Sequence, residues 1–296
     1  MGGTSMNNYQ FAYGDGTVTL PLEGCNILGE LHGNKVEPIK DIRTALWGSL
    51  DEPIGSEALC KRVKAGNTVA LIVSDMSRFW MRQDLVVPHL VDYLTQRCGV
   101  QEADISIVIA NGTHEGGDEQ ELRTLVTDAV YDRVRVENHD CEATDLVYLG
   151  TTPHGTPVSI NRTAAQADIV ICLGAVTHHV MAGFGGGRKS ILPGISSRET
   201  IFHNHAFSLD AAQLRSNPAI GNGVLKGNPL HEDMCEAAGL VKNLFIINLV
   251  MNAQMQLAAI FSGHYLSSWE QACRTVDKIY QVDIPAKTDV IVTSCG

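Results

Sequence analysis

TVALIVS at residues 68–74, RQDLVVPHLVDYLTQRCG at residues 82–99 and DISIVIA at residues 104–110 follow one another along the chain. The first and last of these are short, rich in Val and Ile, and apolar at nearly every position, which indicates strands that are covered on both faces. The middle segment has the length and apolar spacing of a helix. A strand, a helix and a second strand in this order predict a βαβ unit with parallel strands.

The same alternation continues on both sides of this unit. Further strand-like runs are RVRVENH (133–139), ADIVICLG (167–174), LFIINLVM (244–251) and DVIVTS (289–294). Helix-like segments lie at residues 56–66, 116–134 and 196–209. We therefore predict an α/β fold, a mostly parallel sheet with helices on both faces.

The two ends of the chain differ from this central pattern. Residues 11–22 alternate between apolar and polar positions, which predicts a hairpin with Asp15 and Gly16 in its turn. We assign residues 7–266 to an N-terminal catalytic α/β domain. We interpret residues 267–296 as a connecting helix and the first strand of a truncated, incomplete C-terminal α/β domain, because the final apolar run is followed at once by the end of the chain.

The composition excludes some classes of partner. The chain carries 33 Asp and Glu residues against 22 Lys and Arg residues, and nucleic-acid binding needs clustered basic residues. No apolar run approaches the roughly 20 residues of a membrane-spanning helix, and the first residues lack the features of a secretion signal. The eight cysteines form no C-x-x-C pair, which is typical of reduced thiols. We predict a cytoplasmic protein with neither a nucleic-acid nor a membrane partner.

Polar side chains follow three of the predicted strands directly. Asp75 and Arg78 come after the strand at 68–74, His114 follows the strand at 104–110, and His178 and His179 follow the strand at 167–174. Ligands of open parallel sheets bind outside the carboxyl ends of the strands. If these strands are neighbours, an acidic group, a guanidinium and up to three imidazoles converge on one crevice.

The next segment, GFGGGRKSILPG at residues 183–194, is unusually rich in glycine. Four of its first five residues are Gly, which permits positive φ angles and a close approach of the backbone to a ligand. Such a loop can hold an anion in its N–H groups. The segment does not match the phosphate-binding loop of nucleoside triphosphatases. In that motif a Gly directly precedes the Lys, and here Arg188 occupies that position. The candidate cofactor-binding residues here are Gly185, Gly186, Gly187, Arg188 and Lys189.

A helix predicted after this loop carries two more imidazoles. Ser196 and Ser197 are suitable N-cap residues, with Glu199 in the first turn. His203 and His205 are two positions apart, so they point to different sides of the helix. We expect only one of them to face the crevice.

The motifs SDMSR (74–78), NGTHEGGDEQEL (111–122), THHVMAGFGGGRKSILPGI (177–195) and TIFHNHAF (200–207) occur in an order and spacing that resemble the nickel-dependent lactate racemase family. The resemblance implies a 2-hydroxyacid racemase or epimerase. It also implies a nickel pincer nucleotide, a pyridinium mononucleotide with two sulfur-containing arms, attached to Lys189 as a thioamide. Cofactor-biosynthesis proteins would be partners for loading, and a small 2-hydroxy acid would be the substrate.

The resemblance assigns a role to each remaining candidate. It implies that His205 is the protein ligand of the nickel, and that His114 and His179 are the acid/base catalysts. It implies that Arg78 binds the substrate carboxylate, with Asp75 beside it. Soft sulfur and carbon donors with one imidazole suit Ni(II), and an arginine suits a carboxylate through paired hydrogen bonds.

The chain departs from the family at its end, where the family continues into a C-terminal domain that supplies a Gln and a Lys to the active site. We therefore expect this chain alone to be weakly active or inactive. Two other functions stay open on the residues themselves. One is a non-catalytic module that holds a nucleotide in the glycine loop. The other is a zinc hydrolase with His179, His205 and Asp75 as ligands.

Overall fold

The structure, a computed structural model, describes residues 8–22 and 24–294. Its strands are β1 (Asn8–Tyr13), β2 (Gly16–Pro21), β3 (Val69–Ser74), β4 (Ile105–Ala110), β5 (Arg135–Asn138), β6 (Val147–Thr151), β7 (Pro157–Ile160), β8 (Ile169–Ala175), β9 (His178–His179), β10 (Gly183–Phe184), β11 (Leu209–Asp210), β12 (Arg215–Ser216), β13 (Leu244–Met251) and β14 (Leu257–Gly263). The main sheet has six strands in the order β14-β13-β8-β3-β4-β5.

The α-helices are α1 (Ile42–Asp51), α2 (Leu59–Arg62), α3 (Val87–Gln96), α4 (Glu119–Val126), α5 (Asp128–Tyr131), α6 (Arg162–Gln166), α7 (Arg198–Ala206), α8 (Pro229–Gly239) and α9 (Ser267–Tyr280). Short 3₁₀ helices at Met76–Met81 and Gly187–Ser190 follow β3 and β10. None of the helices in the described ranges is both long enough and apolar enough to cross a membrane.

The central strands pair in parallel, as predicted. β3 lies between β8 and β4, with Val69 opposite Ile169 on one side and Ile105 on the other. β5 continues the parallel pairing beyond β4, and β13 continues it beyond β8. Only the edge pairing of β13 with β14 in this sheet is antiparallel. The carboxyl ends of β8, β3 and β4 therefore meet at one edge of the sheet.

Helices cover both faces of this sheet. Side chains of a strand point alternately to opposite faces, and Leu71 and Val73 of β3 belong to one buried hydrophobic cluster, with residues of α1 to α5. Ala70 and Ile72 belong to a second cluster, with residues of α6, α7 and α8. Because both faces are covered, the strand is apolar throughout, which confirms the mostly parallel α/β fold.

Two features at the ends of the chain differ from the predictions. The first hairpin forms, but Tyr13 pairs with Gly16, so the turn consists of Gly14 and Asp15. Gly14 has a φ of 54°, a value that glycine adopts without strain. The run at 289–294 is irregular and not a strand. A strand needs hydrogen bonds from a neighbour, and none of the described residues pairs with this run.

Helix α9 was assigned to a connection but packs on the sheet. Its Trp269 and Val276 are buried in a third hydrophobic cluster with Val250 of β13. The boundary predicted after residue 266 therefore does not separate α9 from the N-terminal unit. Strand β14 and the β6–β7 hairpin were not predicted, because Gly, Ala and Ser interrupt their apolar patterns.

Candidate active site

A cavity of about 360 Å³ opens at the carboxyl ends of β3, β4 and β8. This volume falls in the range of small-molecule sites. Eight of the ten predicted site residues line it, and they come from all three strand ends, from the glycine loop and from α7. These eight are Asp75, Arg78, His114, His179, Gly185, Gly186, Lys189 and His205.

Asp75 holds the ring of His114. The Nδ1 atom of His114 lies 2.5 Å from Oδ2 of Asp75, while Oδ1 of Asp75 accepts a hydrogen bond from Ser77 at 2.6 Å. A carboxylate at Nδ1 fixes the proton of a neutral imidazole on that nitrogen. The Nε2 atom of His114 is then unprotonated and available as a base. Asp75 thus contacts His114 through one carboxylate oxygen and Ser77 through the other, a role that the sequence did not indicate.

His179 and Lys189 form a second pair. The Nε2 atom of His179 lies 2.8 Å from Nζ of Lys189. The Nδ1 atom of the same ring accepts hydrogen bonds from the backbone N–H groups of Met181 and Ala182, at 3.2 and 3.1 Å. A nitrogen that accepts two N–H groups carries no proton, so the proton of the neutral ring is on Nε2. That proton points at the lysine, which accepts it only as a neutral amine.

The surroundings favour this neutral pair. Burial is the main cause that lowers the pKa of Lys189 to about 7, and the positive charges of Arg188 and Arg78 act in the same direction. Burial is also the main cause that lowers the pKa of His179 to about 4. The positive charges of Lys189, Arg188 and Arg78 lower it further. Loss of water around a cation disfavours its charged form. The cavity therefore contains a neutral imidazole and an amine that loses its proton near neutral pH.

Arg78 has few partners of its own. Its Nη1 atom donates to the backbone oxygen and to Oγ of Ser77, at 3.3 and 3.2 Å. Among the residues that the structure describes, no carboxylate lies within 4.0 Å of its guanidinium. The ion pair that Arg78 could have formed with Asp75 is not present, because Asp75 is engaged by His114. The guanidinium is thus available to an anionic ligand in the cavity.

His205 has the protonation pattern of a metal ligand. Its Nδ1 atom lies 3.0 Å from the backbone oxygen of Ile201, one helical turn back in α7. Only a protonated Nδ1 donates there, so Nε2 of the neutral ring keeps its lone pair. Burial is the main cause that lowers its pKa, which keeps the ring neutral. His203 is exposed, as expected for the other side of the helix.

The glycine loop is shaped by close contacts. Gly186 has a φ of 64°, and a Cβ atom there would lie 2.8 Å from the backbone oxygen of Ala175. A Cβ atom on Gly187, which has a φ of 55°, would lie 2.5 Å from Cδ1 of Trp269. Gly186 thus lets the loop approach the end of β8 at the cavity. Gly187 is required for packing against α9 and does not line the cavity.

Arg188, the other predicted cofactor-binding residue outside the cavity lining, has structural contacts. It is fully buried, and its guanidinium donates to the backbone oxygens of Phe184 and Ala182, at 2.9 and 2.7 Å. It lies 3.0 Å from Nδ1 of His231 and stacks on the ring of Trp269. These contacts engage both terminal nitrogens of the guanidinium inside the loop, whereas its buried Nε has no hydrogen-bond partner among the described residues. The side chain therefore points away from the cavity. Its charge still lowers the pKa of Lys189.

The zinc hypothesis finds no support in the geometry. Within residues 8–22 and 24–294, only His154, Asp233 and Glu236 bring three potential ligand atoms within 4.8 Å of one another. His179 and His205 do not form such a group with Asp75, because the carboxylate of Asp75 is turned to His114. His178, the neighbour of His179, faces away and lies 2.9 Å from Asp277 of α9, as expected for a structural residue.

The cavity wall also includes apolar and hydroxyl residues, of which the sequence suggested only Phe79 and Trp80, with core packing as the alternative. Trp80 lines the cavity but Phe79 does not, although both follow Arg78 in the chain. Phe202 and Ser190 also line it, and they lie inside the motifs TIFHNHAF and GGGRKS. Their position within these motifs was the only available signal, because apolar or hydroxyl residues carry no chemistry that marks a site.

Known proteins resemble this chain over most of its length. The family described as the lactate racemase N-terminal domain matches residues 13–216. Lactate racemase from Thermoanaerobacterium thermosaccharolyticum is 30% identical over 98% of this chain and 67% of the relative, and lactate racemase from Lactiplantibacillus plantarum is 30% identical over 96% and 66%. The solved apoprotein of the Thermoanaerobacterium enzyme superposes with a TM-score of 0.80, covering 92% of this chain and 62% of that chain. The chain therefore spans about two thirds of the length of these relatives.

Proposed function

The chain belongs to the lactate racemase N-terminal domain family, and we propose on this basis that it interconverts the stereoisomers of a small 2-hydroxy acid. The observation that supports this proposal most directly is the convergence of two imidazoles, a free guanidinium and a buried amine on one cavity. The hydrogen on the stereocentre of such an acid is barely acidic. Removing it as a hydride while a base takes the hydroxyl proton avoids that barrier.

We propose that the cofactor is a nickel pincer nucleotide, attached to Nζ of Lys189 with its metal bound by Nε2 of His205. The residues fit this group in three respects: the amine loses its proton near neutral pH, His205 keeps a lone pair, and Gly186 removes side-chain volume from the cavity wall. When bound, the cofactor supplies a hydride acceptor and donor. The proteins that synthesise and load it would be partners of this chain.

Arg78 is the proposed anchor of the substrate carboxylate. Its guanidinium has no carboxylate partner among the described residues and lines the cavity. Charge-assisted paired hydrogen bonds from an arginine fix both the position and the orientation of a carboxylate. The α-carbon and hydroxyl of the substrate would then lie among the imidazoles.

His114 and His179 are the proposed groups that move the hydroxyl proton, one for each stereoisomer. Asp75 keeps the Nε2 atom of His114 unprotonated and stabilises the imidazolium that forms when it accepts a proton. With the cofactor attached, the nitrogen of Lys189 would no longer accept a hydrogen bond, and the Nε2–H of His179 would be free to donate to the substrate oxygen while Nε2 of His114 is placed to accept a proton. The chain's own residues thus supply the binding, orientation and proton transfer.

The test is conversion of one lactate enantiomer by nickel-pincer-loaded protein, followed by chiral chromatography. The chain is assayed alone and fused to the remaining third of the Thermoanaerobacterium relative, because the family implies further active-site residues there. Loaded His114→Gln and His179→Gln variants should lose activity by about 10²- to 10⁴-fold, the usual worth of acid/base catalysis. No conversion by either loaded form would contradict the proposed activity and favour a non-catalytic nucleotide-binding module.

A further inference from the structure

Lys189 in the cofactor-free chain is an amine without a stabilising counter-ion. In the part of the chain that the structure describes, the charged groups that act on it are both cationic, Arg188 within its own loop and Arg78 after β3. The charge of Lys189 is in turn among the causes that lower the pKa of His179 and of His205. Its hydrogen-bond partner, His179, presents a proton to it. Burial, the two guanidinium charges and the proton of His179 favour the unprotonated amine, which is the nucleophilic form.

The amine is buried but opens onto the cavity rather than onto the core. Lys189 lines the same space as Arg78 and His114. Arg78 offers a cationic site for a carboxylate, and His114 offers an unprotonated Nε2. A small molecule that carries a carboxylate and a carbonyl group therefore meets an anchor, a nucleophile and a base in one cavity.

We propose that Lys189, before the cofactor is attached, condenses reversibly with a small 2-oxo acid to form an imine. Nitrogen forms a bond to the carbonyl carbon, the carbon–oxygen bond breaks, and the two amine protons leave with the oxygen as water. No oxidant or reductant is required. The choice of a 2-oxo acid rests on the proposed function, because a 2-oxo acid is the oxidised form of a 2-hydroxy acid. The reactivity of the amine does not depend on the proposed function.

Proton transfer in this condensation can use the imidazoles already present. The carbinolamine intermediate loses a proton from nitrogen and gains one on its departing hydroxyl. The unprotonated Nε2 of His114 is a base that lines the same cavity as Lys189. The imine occupies the nitrogen that the cofactor needs, so a 2-oxo acid should slow loading of the cofactor.

The experiment is reductive trapping of the cofactor-free chain with pyruvate and cyanoborohydride at about pH 7, the pKa of Lys189, followed by peptide mass spectrometry. Exposed Lys242 serves as the internal reference. Lys189 should be labelled at least about 10-fold faster than Lys242, because a neutral amine attacks and an ammonium does not. Labelling of Lys189 no faster than Lys242 would overturn the proposal.

Two variants and a second carbonyl compound distinguish the contribution of the carboxylate anchor to Lys189 labelling from that of the unprotonated amine. Arg78→Gln should slow pyruvate labelling of Lys189 by about 10- to 100-fold, the worth of a charge-assisted hydrogen bond. Acetone, which has no carboxylate, should label both forms equally slowly. His179→Gln offers an oxygen that accepts from the ammonium, so the pH of half-maximal labelling should rise. Circular dichroism and melting curves verify that each variant is folded, and unchanged labelling in both folded variants would contradict the proposed site.

The imine and the racemase proposals fail in different ways. If Lys189 accepts the nickel cofactor but not pyruvate, the imine is refuted and the proposed function stands. If pyruvate labels Lys189 but neither loading nor racemisation is observed, the amine is confirmed as reactive and the proposed function is wrong. Pre-incubation with pyruvate should also reduce cofactor loading in proportion to the fraction of Lys189 trapped.

Discussion

The Nζ atom of Lys189 lies 2.8 Å from Nε2 of His179, and the other nitrogen of that ring accepts two backbone N–H groups. The backbone thereby determines which ring nitrogen carries the proton, and the proton determines the charge of the lysine. The tight β9–β10 connection supplies the two N–H groups. A feature of local backbone geometry thus sets the chemistry of the residue that is proposed to carry the cofactor.

The buried amine should reduce stability at neutral pH. The pKa of Lys189 is lowered from 10.5 to about 7 in the folded chain, mainly by burial, so the unfolded chain binds the proton more tightly. This penalty is fully present below about pH 7 and is lost as the pH rises towards 10.5. Lys189→Met should therefore raise the free energy of unfolding at pH 7 by on the order of 1–3 kcal/mol.

Denaturant unfolding of the parent and of Lys189→Met at a series of pH values measures this effect. The gain from the substitution should shrink steadily between pH 7 and pH 10, whereas the exposed-site control Lys242→Met should show no such trend. A gain that does not change with pH would mean that Lys189 keeps its charge in the folded chain.

Asp75 should act through His114 rather than on the substrate. Replacing Asp75 with Asn removes the carboxylate that fixes the ring but keeps the side-chain volume. We expect the turnover rate of the loaded enzyme to fall by about 10- to 100-fold, the usual cost of losing a group that orients a working imidazole. The dissociation constant of the substrate should stay nearly unchanged. A large rise in that constant with normal turnover would instead assign Asp75 to substrate binding.

Arg78 should determine affinity for the carboxylate. Isothermal titration with a 2-hydroxy acid should show affinity lower by about 10- to 100-fold in Arg78→Gln. Arg82→Gln is the matched control, because Arg82 lies one helical turn away and pairs with Asp84 through two hydrogen bonds, at 2.9 and 2.8 Å. Equal losses in both variants would point to a general charge effect.

Gly187 should be essential for packing and not for binding. Ala at this position would place a Cβ atom 2.5 Å from Trp269, at a φ of 55°. We expect Gly187→Ala to lower the free energy of unfolding by about 2 kcal/mol or more, through overpacking and backbone strain. Gly48→Ala in α1 has no heavy atom within 4 Å of the new Cβ and should be stabilising or neutral. Thermal unfolding of both variants compares them directly.

The sequence predicted the sheet because its signal is local. TVALIVS, DISIVIA and ADIVICLG are buried strands in parallel register, and a continuous apolar run records burial on both faces. The position of Asp75, Arg78, His114 and His179 followed from the rule that strand ends converge. Lys189 and His205 were identified from the motifs, since neither composition nor periodicity marks them.

Some placements depend on contacts that the sequence does not encode locally. Arg188 and Gly187 lie between cavity residues in the chain, but packing against Trp269, more than eighty positions later, turns them inward. The run at 289–294 has the composition of a strand but no described partner strand. In each case the outcome depends on which distant segment is adjacent, and that is decided by tertiary structure.

The central claim is that Lys189 carries a nickel-containing nucleotide, and denaturing mass spectrometry of its peptides with nickel analysis of the intact protein tests it most directly. The chain, its Lys189→Arg variant and the Thermoanaerobacterium relative are each co-expressed with the cofactor-biosynthesis proteins. We predict a covalent adduct on Lys189 with about one nickel per chain, as expected for a single imidazole ligand and soft cofactor donors, and neither in Lys189→Arg. A relative that loads beside a chain that shows no adduct and no nickel would contradict the account.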